Sequence, residues 1–290
     1  MSVQKISVII PTMNGAGELS ELLNAILHQT RKADEIIIVD SESTDNTIEI
    51  AKSFSDVAII HVKRKDFDHG KTRDMVLRMS KGDIIVFLTQ DAIPANKELI
   101  SRLTAPLSDK SVAVSVGRQI AKSSASIAEK LVRNFNYPAK SSVKSKSDIT
   151  QMGIKTFFSS NACAAYNREI YIAAGGFEYS IKTNEDMFYA AKVIQNGYKV
   201  AYTAEAEVYH SHNFTFLEQY RRNYLQGYEI EKHRQLLGYV KQESEGIKLV
   251  KYVSRELLRH GHILEFIKFG FDCCARFMGS RAGKKAFQNE

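Results

Sequence analysis

No stretch of the 290 residues approaches the roughly 20 consecutive apolar positions that a membrane-spanning helix requires. Met1-Ser2-Val3-Gln4-Lys5 runs straight into an apolar strand pattern, without the charged and apolar segments of a secretory signal, so a cytoplasmic protein is expected. Cysteine is scarce: Cys273 and Cys274 are adjacent and poorly placed to pair, Cys163 is remote, and none shows metal-ligand spacing. A disulfide scaffold is excluded. No Gly-x-Gly-x-x-Gly follows the first strand and no complete P-loop pattern occurs, which disfavours Rossmann dehydrogenases and P-loop enzymes. There are no internal repeats.

What is present reads as globular. Hydrophobic residues make up 44% of the chain and charged ones 25%, which sets aside disordered and collagen-like classes and leaves one large domain, or a domain with an extension. The net charge of +7 calls for an anionic partner. From Lys241 to the end there are ten Lys or Arg against six Asp or Glu, so much of the excess is C-terminal.

Apolar runs at Ile6–Ile10, Ile36–Val39 and Ile84–Leu88 alternate with helical spacing at Leu19, Leu22, Leu23, Ile26 and again at Ile48 to Phe54, with a further strand at Val57–Val62 and a helix from Thr72 to Met79. Such alternation predicts an α/β fold with a mainly parallel sheet. Later strands are expected at 112–116, 200–202 and 208–210, and order is expected to return over 157–166. The Ser- and Lys-rich stretch 123–150 reads as a partly helical excursion over the site. A helix is expected from Glu185 to Gln195, and everything from Phe214 onward reads as helical.

Open parallel sheets bind ligands at the C-terminal ends of their strands. Asp91 stands just past the third apolar run, where a carboxylate needs a compensating cation, a metal on a diphosphate being one and a salt bridge or helix cap the alternative. Asp40-Ser41 ends the second run, placed to meet a nucleobase or ribose or simply to form a turn. Glu185-Asp186 open a helix whose dipole alone accounts for one of them, while the other is a candidate general base. In His210-Ser211-His212 the imidazoles share a strand face, so both reach one metal or phosphate, or both lie on the surface.

Ile6 to Asn14, Glu35 to Asp45 and Gly70-Lys71-Thr72-Arg73-Asp74 occur in the order and spacing that resemble glycosyltransferase family 2, over about residues 6 to 215. Phe67 to Arg73, Leu88-Thr89-Gln90-Asp91-Ala92 and Val208 to Asn213 are most similar to its bacterial rhamnosyltransferases. This resemblance implies a GT-A type, Rossmann-like sheet flanked by helices, with a catalytic domain over 1–213 and a helical extension over 214–290. The nucleotide-sugar half of that domain would span about 1–120 and the acceptor half about 121–213. Also implied is inverting transfer of L-rhamnose from dTDP-β-L-rhamnose to a saccharide acceptor, a polyprenyl-diphosphate-linked one included, in surface polysaccharide synthesis. By resemblance Pro11, Thr12, Asp40 and Ser41 hold the nucleoside, Arg73 stabilises the nucleotide end, and Gln90 and Glu185 join the substrate-binding set. Asp91 and His212 hold Mg²⁺ or Mn²⁺, and Asp186 is the base.

Thr89 stands where the family's Asp-x-Asp has its first aspartate, which gives His212 more reason to be a ligand. Gln219 and Arg222 match the Gln-x-x-Arg-Trp motif of processive members, but Asn223 replaces the tryptophan, so addition of one or a few sugars is expected. A UDP-hexose or UDP-N-acetylhexosamine donor and an inactive nucleotide-sugar-binding protein remain open. Nucleic-acid binding is disfavoured because no basic stripe with interleaved aromatics occurs in the first 200 residues. At the C-terminus Ile247, Val250, Val253, Leu257, Leu258, Ile263, Leu264, Ile267 and Phe271 are interspersed with Lys248, Lys251, Arg255, Arg259, Lys268 and Arg276. That pattern fits an interfacial helix on anionic lipid or a helix packed on the catalytic domain or a second subunit.

Overall fold

The computed structural model describes residues 4–238 and 243–290. Strands β1 (Ile6–Thr12), β2 (Glu35–Asp40), β3 (Val57–His61), β4 (Ile84–Leu88), β5 (Ile93–Pro94), β6 (Val112–Ile120), β7 (Ser142–Lys144), β8 (Cys163–Asn167) and β9 (Lys199–Tyr209) form one sheet. Its order is β3-β2-β1-β4-β8-β6-β9-β5, with β7 beside β9. The sheet is flanked by helices. It is parallel across β3-β2-β1-β4, while β8 runs antiparallel between β4 and β6, and β9 is parallel to β6.

Both sheet faces are covered, which is why β4 is apolar at every position. Ile84, Val86 and Leu88 enter one core with Ile6, Val8 and Ile10, while Ile85 and Phe87 enter the other with Ile9 and Val39. This two-residue alternation fixes the register, since a slip by one would exchange the two cores. Thr12 pairs with Asp40, so the tips of β1 and β2 stand level.

Several expected elements have different bounds. The helix expected from Thr72 spans His69–Met79, because the Asp68 carboxylate caps it by accepting from the Lys71 amide at 2.7 Å. Gly70 has no room for a side chain: a Cβ there would run into the Glu178 carbonyl. The excursion 123–150 contains the helix Ile127–Asn136 and β7, which pairs antiparallel with β9. The two short strands expected at 200–202 and 208–210 are a single strand, β9, carrying a bulge: Gly117 of β6 faces Thr203 but Arg118 faces Glu207. The Ala206 carbonyl lies over Gly117, 2.7 Å from where a Cβ would stand.

C-terminal helices Phe216–Lys232, Glu243–Arg259 and Ile263–Gln288 follow, and the helical expectation for 239–242 lies outside the described residues. The first and third of these cross closely at Gly227, Gly279 and Gly283, where a Cβ would strike the backbone of the opposing helix. Val253, Leu257 and Phe269 bury against Val132 of the helix Ile127–Asn136. The extension is thereby packed onto the excursion. All three cysteines are free.

Candidate active site

The strand tips, the start of the helix Glu185–Gln195 and the end of β9 enclose a cavity of about 780 Å³. Pro11, Thr12, Ser41, Arg73, Gln90, Asp91, Glu185, Asp186 and His212 all line it. Asp40 is set behind the wall. Its carboxylate is buried and accepts from the Ser43 amide at 3.1 Å, the Ser43 hydroxyl and the Thr12 hydroxyl at 3.4 Å, so it braces the tips of β1 and β2 and does not line the cavity. The Ser41 hydroxyl, by contrast, is buried beside the cavity with no partner among the described residues, and is free to take a hydrogen bond from a ligand. Gln90 clamps the loop after β1 by accepting from the Met13 amide at 2.8 Å and donating to its carbonyl at 3.1 Å.

Glu185 and Asp186 are adjacent but differ in surroundings. Glu185 accepts from the Asn161 side-chain amide at 2.9 Å and lies 3.3 Å from the Arg73 guanidinium. Burial opposes its ionisation, but the charges of Arg73 and His69 outweigh this and lower its pKa. Arg73 answers the charge of Glu185 through one terminal nitrogen, while its Nε is buried with no partner among the described residues. Asp186 accepts from the Asn161 amide at 2.8 Å and the Met187 amide at 2.7 Å, with an edge open to the cavity. Burial, and then the negative charge of Glu185, push its pKa up to about 7. A carboxylate poised there can accept a proton near neutral pH, the property a general base needs.

Across the cavity, ligand atoms of Asp91, His210 and His212 all lie within 4.8 Å of one another. His210 Nε2 is 3.4 Å and His212 Nδ1 3.6 Å from the same Asp91 oxygen. Burial alone would raise the Asp91 pKa, but the hydrogen bond and charge of His210, together with Thr89 and His212, hold the carboxyl well below its usual range. Burial lowers the His212 pKa to about 4, aided by His210, which keeps a neutral imidazole. One carboxylate and two imidazoles suit a divalent cation with room left for diphosphate oxygens.

The family resemblance assigns His212 and not His210 as a ligand, and it says nothing of Gln119, the partner of His210. Gln119 Oε1 accepts from Arg133, which can only donate, so the same oxygen accepts from His210 Nδ1, 2.8 Å away. Nδ1 is thereby kept protonated, which leaves Nε2, beside Asp91, as the atom that would ligate a cation, the outer-shell arrangement that orients metal-binding histidines. Nothing local in the sequence signals this bond, because Gln119 lies on β6.

A profile of the family described as Glycosyl transferase family 2 matches residues 7–174. The chain belongs to glycosyltransferase family 2. This glycosyltransferase is 46% identical over 219 residues to the O-antigen chain rhamnosyltransferase RfbN of Salmonella typhimurium, covering 75% of this chain and 70% of that one. It is 43% identical over 218 residues to the O-antigen chain rhamnosyltransferase WbaN of Salmonella anatum, covering 74% and 69%. Among solved structures it resembles the mannosyltransferase PcManGT from Pyrobaculum calidifontis in complex with GDP-Man and Mn²⁺, with a TM-score of 0.67, 17% identity and coverage of 99% and 88%. It also resembles Staphylococcus aureus TarS in complex with UDP-GlcNAc, with a TM-score of 0.57, 16% identity and coverage of 98% and 92%. The fold is thus that of the GT-A glycosyltransferases.

Proposed function

We propose that this glycosyltransferase moves L-rhamnose from dTDP-β-L-rhamnose onto a saccharide acceptor with inversion at the anomeric carbon, in the assembly of a bacterial O-antigen. The observation that carries the reading is its identity of 46% to an O-antigen chain rhamnosyltransferase over most of both chains. The site supports it by placing a raised-pKa carboxylate opposite a cluster fit for a cation in one cavity. Residues 1–213 act as the catalytic domain and 214–290 as its extension. The enzyme works in the cytoplasm, on the inner face of the membrane, and no described helix is long and apolar enough to cross one.

In this mechanism Pro11, Thr12 and Ser41 hold the thymidine end, braced from behind by Asp40. Asp91, His210 and His212 would hold Mg²⁺ or Mn²⁺, which when bound supplies neutralising charge to the diphosphate. Asp186 takes the proton of the acceptor hydroxyl as its oxygen bonds to the anomeric carbon. The bond from that carbon to the diphosphate oxygen breaks, its electron pair leaves with dTDP, and the β-rhamnosyl group becomes an α-rhamnoside. Arg73, Asn161 and Glu185 keep Asp186 in place. Glu185 also keeps it basic, since a neighbouring negative charge disfavours its ionisation.

The test is a donor panel. dTDP-β-L-rhamnose should be hydrolysed and should raise the melting temperature more than UDP-glucose, UDP-galactose or UDP-N-acetylglucosamine. Selective use of a UDP sugar would assign a hexosyl donor instead, and binding without turnover of any donor would leave a nucleotide-sugar-binding protein.

A further inference from the structure

Beyond His212 a second cavity of about 400 Å³ opens between the helix Ile127–Asn136 and the C-terminal helices. The two cavities share Arg133, Tyr137, Phe158, His212, Arg222 and Gln226, whereas Pro11, Thr12 and Ser41 line only the first. What enters the second cavity therefore meets the site from the side opposite the nucleoside.

Three guanidinium groups converge on it. Arg133 is answered by Glu129 at 2.7 Å and Arg276 by Asp272 at 2.6 Å, each one helical turn away on its own helix. Arg222 has no hydrogen bond and no ion pair among the described residues, only the ring of Phe214, 5.1 Å from its central carbon. Its side chain is exposed, at the place where the two cavities meet. Partial desolvation by the neighbouring helices, with repulsion from Arg276 and Arg133, lowers its pKa. Cations gathered in this way, one of them unanswered, make a receptor for an anion. Val132, Phe158, Phe214 and Phe269 add apolar wall. On the helix Ile263–Gln288, Leu264, Ile267 and Phe271 lie exposed on the face next to the one that closes the cavity.

We propose that Arg222, flanked by Arg133 and Arg276, binds the diphosphate of a lipid-linked acceptor in this second cavity. The proposal rests on the glycosyltransferase reading above and adds where the acceptor's charge is held. The donor's diphosphate has its own seat at Asp91, His210 and His212. An acceptor anchored at Arg222 then extends its sugar past His212 towards Asp186.

The experiment measures binding and needs no turnover. The full chain is saturated with dTDP and Mn²⁺ and titrated calorimetrically with geranyl diphosphate, with geraniol as the uncharged control. Geranyl diphosphate should bind and geraniol should not, and Arg222→Ala should weaken the diphosphate at least about tenfold, the loss expected for a charge-assisted contact. Arg222→Lys should recover part of that loss, and the affinity for dTDP should stay within about twofold in both variants, which also shows that they fold. The proposal is overturned by no binding to the wild type, by equal binding to wild type and Arg222→Ala, or by a parallel loss of dTDP affinity, which would give Arg222 to the donor. A wild type that binds geranyl diphosphate but not dTDP would instead count against the donor reading alone.

Discussion

Replacing Asp186 with asparagine separates its catalytic part from its structural cost. Burial and the charge of Glu185 raise this carboxyl from 3.8 to about 7, so above pH 7 the folded protein carries a charge it holds unwillingly. Between pH 4 and 7 the folded chain keeps a proton that the unfolded chain has lost. That contribution to stability is fully present below pH 4 and disappears as the pH rises through 7. Between pH 5 and pH 8 the linkage amounts to about 2–3 kcal/mol, or several degrees in melting temperature. The side-chain amide introduced by Asp186→Asn does not titrate, so the variant should lack this dependence. It has its own cost, since both carboxylate oxygens accept backbone amides, from Asn161 and Met187, and one of them becomes an NH₂ group. An unsatisfied donor there costs about 1–3 kcal/mol. The sign of the shift at one pH is therefore uninformative, and its change with pH is the readout. Melting curves of both proteins from pH 5 to 8 should diverge in favour of the variant as pH rises. Turnover of the variant should fall by roughly 10²-fold or more, with donor binding nearly intact, and wild-type turnover should rise with pH through about 7. Turnover within tenfold of wild type, or parallel melting temperatures across that range, would refute the reasoning.

Other expectations follow from the same geometry. Excess EDTA should abolish transfer and Mn²⁺ should restore it, with His210→Ala as damaging to metal-dependent dTDP binding as His212→Ala; full activity in EDTA would exclude the cluster at Asp91. Gln119→Met removes the acceptor that fixes His210 Nδ1 and should weaken Mn²⁺ binding about 10- to 100-fold by calorimetry while leaving the fold intact; unchanged affinity would make Gln119 structural only. On the outer surface Leu264, Phe271 and Phe277 are exposed at 75%, 63% and 62%, near the basic Lys268 and Arg281. The full chain should therefore co-sediment with anionic liposomes in low salt and be released in high salt. Binding indifferent to salt or to lipid charge would argue against that surface.

Asp91 and Asp186 were legible because periodicity fixes where a buried strand ends and where a helix begins, and both termini point to one crevice. His210 was half legible: the spacing put both imidazoles on one face, but the bond that orients His210 comes from Gln119, 91 residues away. Arg73 lines the same cavity, yet its pairing with Glu185 depends on two helix starts meeting in space. β9 reads as two strands because Ala204, Glu205 and Ala206 interrupt the apolar pattern where the bulge departs from the ladder. The helices Leu99–Thr104 and Arg168–Ala173 are six residues each, too short to establish a period, and were missed.

That bulge makes β9 an expansion joint. Upstream of it Val200 to Thr203 keep step with β6 and β7, and downstream Glu207 to Tyr209 are pinned afresh by β6 and by Ile93 of β5, two residues past Asp91. His210 takes its position from that second ladder, its amide bonding the Ile120 carbonyl at 2.9 Å. The register of His210 is thus set by the downstream ladder and not by the core end of the strand. The joint itself is packed: Ala204 and Ala206 are buried, and the Ala206 carbonyl sits over Gly117. The placement of His210 beside Asp91 is set by the ladder after the bulge, and the side chain that cannot be added under it is the one at Gly117.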